Sequence, residues 1–595
     1  MLPRSPGLLL LFAALACSSG SSAPDPSPDA APPPDAAAVL DARAPRPDAG
    51  PPPFEPAPPD VVCPGDPSCP SASGAFEAGA AAVDITPGLD DAEPFEDLNL
   101  DGEWSEGEPF EDRNGNGTRD GIWIAGFGQG RAATEVLDPQ WARAVAFRRG
   151  ETTLALVSID CVGLFLDDVD AIREAVADAV DYALVAATHS HQARDTIGLW
   201  GPSTTRTGLD PEFQRRVREG AAQAIREAVA ALEPARVQHA HLRLSEVDAV
   251  TRWVGDLRDP QVIDDEVRVL RVLAASNPGD TDDEADPLAA RTVATLVNFG
   301  SHPEYLGSSN TGLSSDWPHF LRRALEEGVA GGPVPGPGEP LAPVGGVTVF
   351  VRGAIGSQIG PNDIAPRDWD GAPVPDERRA RTEAVGTQLG ALVLQALHEG
   401  EPDLEERPEL AFRRARLFVP VANRLYRYAG EAGIMQRSLY NYDPDRRIDD
   451  RNVPDLQTEV AVLRIGRAAM LTVPGELDPV EWIGGYAPPC PYTPGGCDAL
   501  VDEDAENPPD LARAPAAPYL RDRLATAFPE ATELWLLGMT NDFLGYFIPE
   551  FDFEVDPVLP YLVQAPGAHY EETNSVGPEG WPRVRAQLTS LLRRD

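Results

Sequence analysis

Residues 182–191 read YALVAATHSH. The first six are apolar and β-rich, a length and composition that predict a buried strand. The strand stops at Thr188-His189-Ser190-His191, where two metal-binding side chains stand one residue apart. The arrangement recurs along the chain. Residues 295–299 (TLVNF) run into Gly300-Ser301-His302-Pro303, and residues 468–473 (AAMLTV) run into Pro474-Gly475-Glu476. Residues 533–539 (ELWLLGM) lead to Thr540-Asn541, then Phe543 and Tyr546, and residues 347–351 lead into the glycine loop GAIGSQIGPN at 353–362. In sheets with helical crossovers, ligands collect at the carboxyl ends of strands. Amphipathic helices are predicted over 167–180, 211–232 and 383–399. The expected class is α+β, with a multilayered mixed β-sheet core and outer helices.

Two histidines at i and i+2 of an extended segment share a face. With His302 and Glu476, they form a nitrogen and oxygen donor set suited to zinc. The chain has 8 histidines, and three of them stand at these strand ends. His239 and His241, in QHAHLRL, have no glycine or proline terminus after them and are read as sheet residues. His319, His398 and His569 receive no role.

Read in order, these segments resemble the neutral ceramidase family, zinc amidases that split N-acylsphingosines. The likeness begins at Val83-Asp84-Ile85-Thr86-Pro87. It continues through residues 144–147 and 158–160, Thr188-His189-Ser190-His191, Ser301-His302-Pro303, Pro474-Gly475-Glu476 and the stretch from Asn541 to Tyr546. It ends at Tyr570-Glu571-Glu572 and Gly577-Pro578, so the succession covers nearly all of residues 76–580. The resemblance implies a zinc centre at strand ends held by His189, His302, Glu476 and Tyr546. It further implies His191 as the proton-handling histidine, Tyr570 as stabiliser of the oxyanion and Arg252, in TRWVGD, as a substrate-facing arginine. Three departures stand out. The family's implicated serine falls on Gly360 when GSQIGPN is aligned on Pro361-Asn362. The first tyrosine of its Tyr-x-x-Tyr is Phe543, and no C-terminal immunoglobulin-like domain is expected.

The chemistry implied is hydrolysis of an amide in an N-acyl (sphingo)lipid or related compound. A zinc-activated water, its pKa lowered from about 15.7 to about 7, is the nucleophile; a serine is then dispensable. His191 serves as base and then as acid, and Tyr570 with Arg252 steadies the oxyanion. Two other readings stand beside it: an esterase using the same zinc chemistry, and a surface-anchored binding protein on a ceramidase-like scaffold.

Composition narrows the partners. Against 95 acids stand 49 bases, all arginine, for a formal net charge of −46 in 595 residues. A phosphate backbone needs a basic face, so nucleic acid is excluded as a partner. An anionic bilayer would repel the chain as well. Membrane contact is therefore expected only through an N-terminal lipid. Residues 1–17, MLPRSPGLLLLFAALAC, read as a lipoprotein signal peptide with Cys17 as the lipidated residue. Residues 18–75, rich in Pro, Ala and Asp, read as a disordered tether. The catalytic domain then spans 76–595, and the expected location is a bacterial cell envelope, at the outer membrane or surface. Cys63 with Cys69, and Cys490 with Cys497, suit disulfides in an oxidising compartment, while Cys161 reads as a core thiol. Within an insert at 95–123, two loops follow the EF-hand spacing and predict structural calcium. Asp97, Asn99, Asp101, Glu103 and Glu108 serve the first loop, and Asp112, Asn114, Asn116 and Asp120 the second.

Overall fold

The structure, a computed structural model, describes residues 54–64 and 73–593, apart from 101–103, 106, 114–116, 118, 248–252, 276–289, 332–337, 361–365, 369–370, 376, 401–402 and 503. A nine-stranded mixed sheet has the order Val347–Arg352, Thr292–Phe299, Glu266–Ala274, Glu233–Arg243, Phe76–Asp84, Trp141–Arg149, Thr152–Ile159, Tyr182–Ala187, with Asp403–Glu405 pairing onto Glu233–Arg243. A five-stranded sheet runs Val61–Cys63, Leu410–Pro420, Asp455–Ile465, Ala468–Thr472, Glu533–Leu537. The larger sheet curls over itself: Ser158 Oγ donates to Phe350 O at 2.5 Å and Arg143 Nη1 to Thr348 O at 3.1 Å, although their strands lie far apart in the sheet order.

Strand alternation builds the layers. On one face Ala142, Ala144, Ala146, Ala155, Val157 and Val185 pack under the helices Leu166–Val176 and Pro211–Ala230. On the other, Val145, Phe147, Leu156 and Leu184 pack against Leu463, Met470, Trp535 and Leu537 of the smaller sheet. The alanine face lets the helix approach closely. A Cβ placed on Gly79 would stand 2.2 Å from Ala228 O, inside van der Waals contact. Pro211–Ala230 starts with Asp210 capping Glu212 N and Pro at its first turn, a sequence signal of a helix start. It buries Phe213, Val217, Ala221, Ile225 and Ala228 along one stripe. Each large apolar side chain fully buried there contributes roughly 1.5–3 kcal/mol. The helices Leu520–Ala527 and Gly580–Leu591 cover the outer face of the five-stranded sheet. The result is helix, sheet, sheet, helix, as the α+β reading expects. Among the described residues no helix is long and apolar enough to cross a membrane.

The tether expected over 18–75 is interrupted near its end. Val61–Cys63 forms the edge strand on Leu410–Pro420, and Ala57 N donates to Gln587 Oε1 at 2.9 Å. Two valines and a cysteine give this piece the apolar, β-prone character that the rest of the segment lacks. The Cys490–Cys497 disulfide is formed and Cys161 is free and buried. Cys63 is disulfide-bonded, and Cys69, its expected partner, lies outside the described residues, as does Cys17.

One topological fact positions the site. Most neighbouring strands are antiparallel, but Thr152–Ile159 with Tyr182–Ala187, Thr292–Phe299 with Val347–Arg352, and Ala468–Thr472 with Glu533–Leu537 are parallel. Parallel neighbours finish at the same edge, and the chain that leaves these three pairs carries the ligand-type residues. The edges are stitched together. Ala187 N donates to Met539 O (3.0 Å), Asn541 N to Val185 O (2.7 Å), Gly538 N to Arg352 O (3.0 Å), and Asn298 Nδ2 to Leu536 O (2.9 Å).

Candidate metal centre

His189, His191 and His302 are buried, and one ring nitrogen from each lies within 4.8 Å of those of the other two. His189 Nδ1 meets Val162 O at 2.5 Å, and His302 Nδ1 meets Gln358 O at 3.0 Å. A carbonyl oxygen only accepts, so each Nδ1 carries the proton and each Nε2 keeps its lone pair. Those two Nε2 atoms face one carboxylate oxygen, Glu476 Oε2, at 3.3 and 3.0 Å. When both rings are protonated, burial still works to raise the Glu476 pKa, but the His189 and His302 charges outweigh it and hold the group well below the ordinary carboxylate range. Two imidazole lone pairs and a carboxylate converging in a buried cleft form a donor set that can hold a metal ion, with both rings oriented by backbone carbonyls from behind.

His191 stands against this set. Its Nε2 is 3.2 Å from His189 Nε2, and its Nδ1 is 3.3 Å from Glu304 Oε2. Burial, reinforced by the His189 and His302 rings, depresses its pKa well below the usual value. Glu304 is likewise buried, and desolvation lifts it to about 7.

The two histidines do not converge as an extended i, i+2 pair. The strand ends at Ala187, and His189 takes a left-handed backbone with φ 59°. A non-glycine residue in that region signals local strain held by its surroundings. Here the turn re-aims His189 toward His302, so a kinked backbone replaces the shared face. Arg352, the last residue of its strand, clamps the region. Its Nε donates to Thr188 O at 2.6 Å and its Nη1 to Ser301 O, tying both histidine-bearing turns to one guanidinium.

Tyr546 lies beside His302, their rings nearly parallel with centroids 6.5 Å apart, and Tyr546 Oη is 3.4 Å from Tyr570 Oη. Tyr570 opens the short helical turn Glu571–Asn574. Arg258 grips that turn from behind, with Nη1 to Glu571 Oε2 at 2.9 Å, Nη2 to Glu572 Oε1 at 2.7 Å and Nε to Asp552 Oδ2 at 2.7 Å. Arg252 lies outside the described residues. The cleft over the centre is narrow, with about 40 Å³ open to water, room for only a few molecules. His189, His191, Glu476, Tyr546 and Tyr570 line it with Trp200, Leu199, Tyr426 and Phe543. Leu199 and Tyr426 also line an adjoining apolar groove with Leu425, Ala429 and Ile434.

Gly360, where the resemblance places a serine, is packed shut: a Cβ there would lie 2.2 Å from Tyr305 Oη and 2.7 Å from Trp253 O. Ser357 is fully buried beside Asp256. His239 and His241 sit in Glu233–Arg243, facing Glu405 and Glu533. In the acidic insert, Asp101, Glu103, Asn114 and Asn116 lie outside the described residues. Glu108 turns its carboxylate to the backbone N–H groups of Leu98 (2.9 Å) and Ser105 (2.8 Å). Asp97 accepts from Leu100 N (2.6 Å) and Asp112 from Gly117 N (2.8 Å). Asn99 Nδ2 is 3.5 Å from Ser105 Oγ, and Asp120 N donates to Glu93 Oε2 at 2.9 Å. No local sequence signal marks Gly126 or Arg352, whereas Glu304 stands two residues after His302.

No family model matches the chain, and no curated protein is similar to it in sequence. Among solved structures, the fold is similar to that of neutral ceramidase from Pseudomonas aeruginosa, with a TM-score of 0.53 and 13% identity over 87% of this chain and 74% of that one. A ceramidase complexed with C2 is similar over the same shares, at TM-score 0.53 and 14% identity. The chain shares the ceramidase fold.

Proposed function

We propose that this chain is a zinc-dependent hydrolase of the neutral ceramidase kind, cutting the amide of an N-acyl lipid or related compound. The observation that carries the reading is the convergence of His189 Nε2 and His302 Nε2 on Glu476 Oε2, each ring locked from behind by a carbonyl. The fold shared with ceramidases supports it. Zinc held by this donor set and Tyr546 would supply Lewis acidity and a water of lowered pKa. The chain's own residues do the rest. His191 Nε2, facing the centre, receives a proton and returns it to the leaving nitrogen. Tyr570 points its hydroxyl at the Tyr546 hydroxyl, where charge on the carbonyl oxygen develops. Trp200, Leu199 and Phe543 narrow the cleft against bulk water, and the groove along Leu425, Ala429 and Ile434 receives an apolar acyl group. The N-terminal pattern adds that the enzyme is tethered to a bacterial envelope through Cys17, and the acidic insert that calcium stiffens it.

Elemental analysis of protein purified without a histidine tag tests this, followed by a panel of N-acyl amides and esters. About one zinc per chain, lost in His189→Ala and His302→Ala together with amide cleavage, is expected. Protein that holds no transition metal overturns the reading, and cleavage confined to esters overturns the amide assignment.

A further inference from the structure

A buried carboxyl group with no cation beside it is expensive to keep ionised, and Glu304 is one. Among the described residues the charged-type partner within 4 Å of it is the His191 ring, Oε2 to Nδ1 at 3.3 Å, with both side chains 4% exposed. The Gly360 backbone N–H acts on the Glu304 carboxyl group, but within ordinary hydrogen-bond geometry neither Glu304 oxygen nor His191 Nδ1 has a partner. Every other freedom of the His191 ring is already taken. A Cβ on Gly126 would lie 2.3 Å from His191 Cγ, so the glycine backbone lies flush on the ring. Phe127 meets it edge-on with centroids 5.1 Å apart. The main chain is held by His191 N donating to Pro303 O at 3.0 Å and by Arg131 Nη2 donating to His191 O. Two places compete for the ring proton: Nε2, 3.2 Å from His189 Nε2, and Nδ1, 3.3 Å from Glu304 Oε2; a cation on His189 Nε2 would take up the lone pair that the first needs.

We propose that Glu304 is the positioning residue for His191: its carboxylate accepts the Nδ1–H, fixing the tautomer that presents the Nε2 lone pair to the cleft. The inference rests on the reading of His191 as the proton carrier. The separation is at the long end of hydrogen bonding, as for catalytic pairs in unliganded enzymes that tighten when substrate arrives. A purely structural role for Glu304 is poorly served by a carboxylate, since an apolar residue of similar size would fill the space without the desolvation cost.

Glu304→Ala and Glu304→Gln separate the alternatives, because the glutamine keeps an acceptor oxygen and the alanine does not. Three readouts are needed: bound zinc per chain, kcat and KM on an N-acyl amide cleaved by the wild type, and the His191 tautomer. The tautomer is read from long-range proton–nitrogen correlations of histidine-labelled protein, with the His191 signals assigned by their absence in His191→Ala. For Glu304→Ala, unchanged zinc, KM within about twofold, a kcat loss of about 10²-fold and a mixed tautomer are expected; Glu304→Gln should keep the tautomer and lose less than about tenfold in kcat. An alanine variant that retains a single Nδ1–H tautomer overturns the proposal, as does one that loses its zinc, which would make Glu304 a ligand. Should the wild type cleave no amide, the functional reading fails by itself, and the tautomer of Glu304→Ala still decides the pairing.

Discussion

Glu476 and Tyr546 are Cα partners in a two-residue parallel bridge, with Leu477 opposite Phe547. The pairing extends the parallel strands Ala468–Thr472 and Glu533–Leu537 beyond their ends through Met539 N to Gly475 O, Leu544 N to Pro474 O and Glu476 N to Gly545 O. Neither residue is placed by its own neighbours in sequence. Two strands entering the cleft side by side bring a carboxylate and a phenol to the same edge, and the centre inherits the rigidity of the sheet behind it.

Glu476→Gln keeps the volume of the side chain and removes its charge. The contacts to His189 Nε2 (3.3 Å) and His302 Nε2 (3.0 Å) then lose the anion that a bound cation needs. Zinc affinity should fall by more than the roughly 10–100-fold typical of outer-shell changes, with the thermal transition of the metal-free protein close to wild type. Competition with a chromophoric chelator reads the affinity. Unaltered zinc binding would remove Glu476 from the donor set.

Restoring the resembled family's serine at Gly360 should damage the protein and leave catalysis unimproved. The new Cβ would press on Tyr305 Oη at 2.2 Å and on Trp253 O at 2.7 Å, and backbone atoms cannot yield as a flexible side chain can. Overpacking of this kind costs about 1–3 kcal/mol. Gly360→Ser is therefore expected to lower the unfolding midpoint in urea, with no gain in kcat. A variant as stable as wild type and faster would show that the loop opens to admit a serine.

The elements that were legible were those whose signals are local. Residues 182–187 form the strand their apolar run predicts, and Pro211–Ala230 begins at its capping aspartate and proline. Arg378–Glu399 starts five residues ahead of the expected 383, because its first turn, rich in arginine, lacks the apolar spacing that marks a helix. His189, His302, Glu476 and Tyr546 could be gathered because each follows a strand. Their mutual geometry could not, since it depends on a left-handed His189 and on which strands are parallel. Long-range partners left no local trace: Arg258 reaches Asp552, Glu571 and Glu572 across the chain, and nothing in TRWVGDLRD announces that.

Gly126→Ala tests how tightly His191 is set. Gly126 has φ +97°, a region that alanine enters only with strain, and the new Cβ would collide with His191 Cγ, Cβ and Cα at 2.3, 2.4 and 2.7 Å. The proposed metal ligands are untouched by the change, so metal content should hold while kcat drops by about tenfold or more, KM moving little. Parallel losses of zinc and activity would mean that His191 and the metal cannot be moved independently.

Glu459 sets how the fold responds to acid. It is fully buried between the sheets, paired with Arg173 Nη2 at 2.8 Å and Arg414 Nη1 at 2.6 Å, and accepts from Tyr182 Oη at 2.7 Å. Burial favours its neutral form, but the two guanidinium groups and the hydrogen bonds from Arg173 and Tyr182 outweigh that and lower its pKa from 4.5 to about 2. In the unfolded chain the same group returns to the ordinary value. The folded state therefore binds the proton more weakly, and its advantage is complete above about pH 4.5 and disappears as the pH falls through about 2. At about 1.4 kcal/mol per pKa unit the contribution is about 3 kcal/mol. Glu459→Gln should be less stable than wild type by that order at pH 7. The difference between the two proteins should shrink steadily as denaturant titrations are repeated from pH 5 down to the lowest pH at which both fold. A gap that stays constant across that range would mean that the cost of the substitution comes from packing or from stranded arginines, with no share from the Glu459 charge.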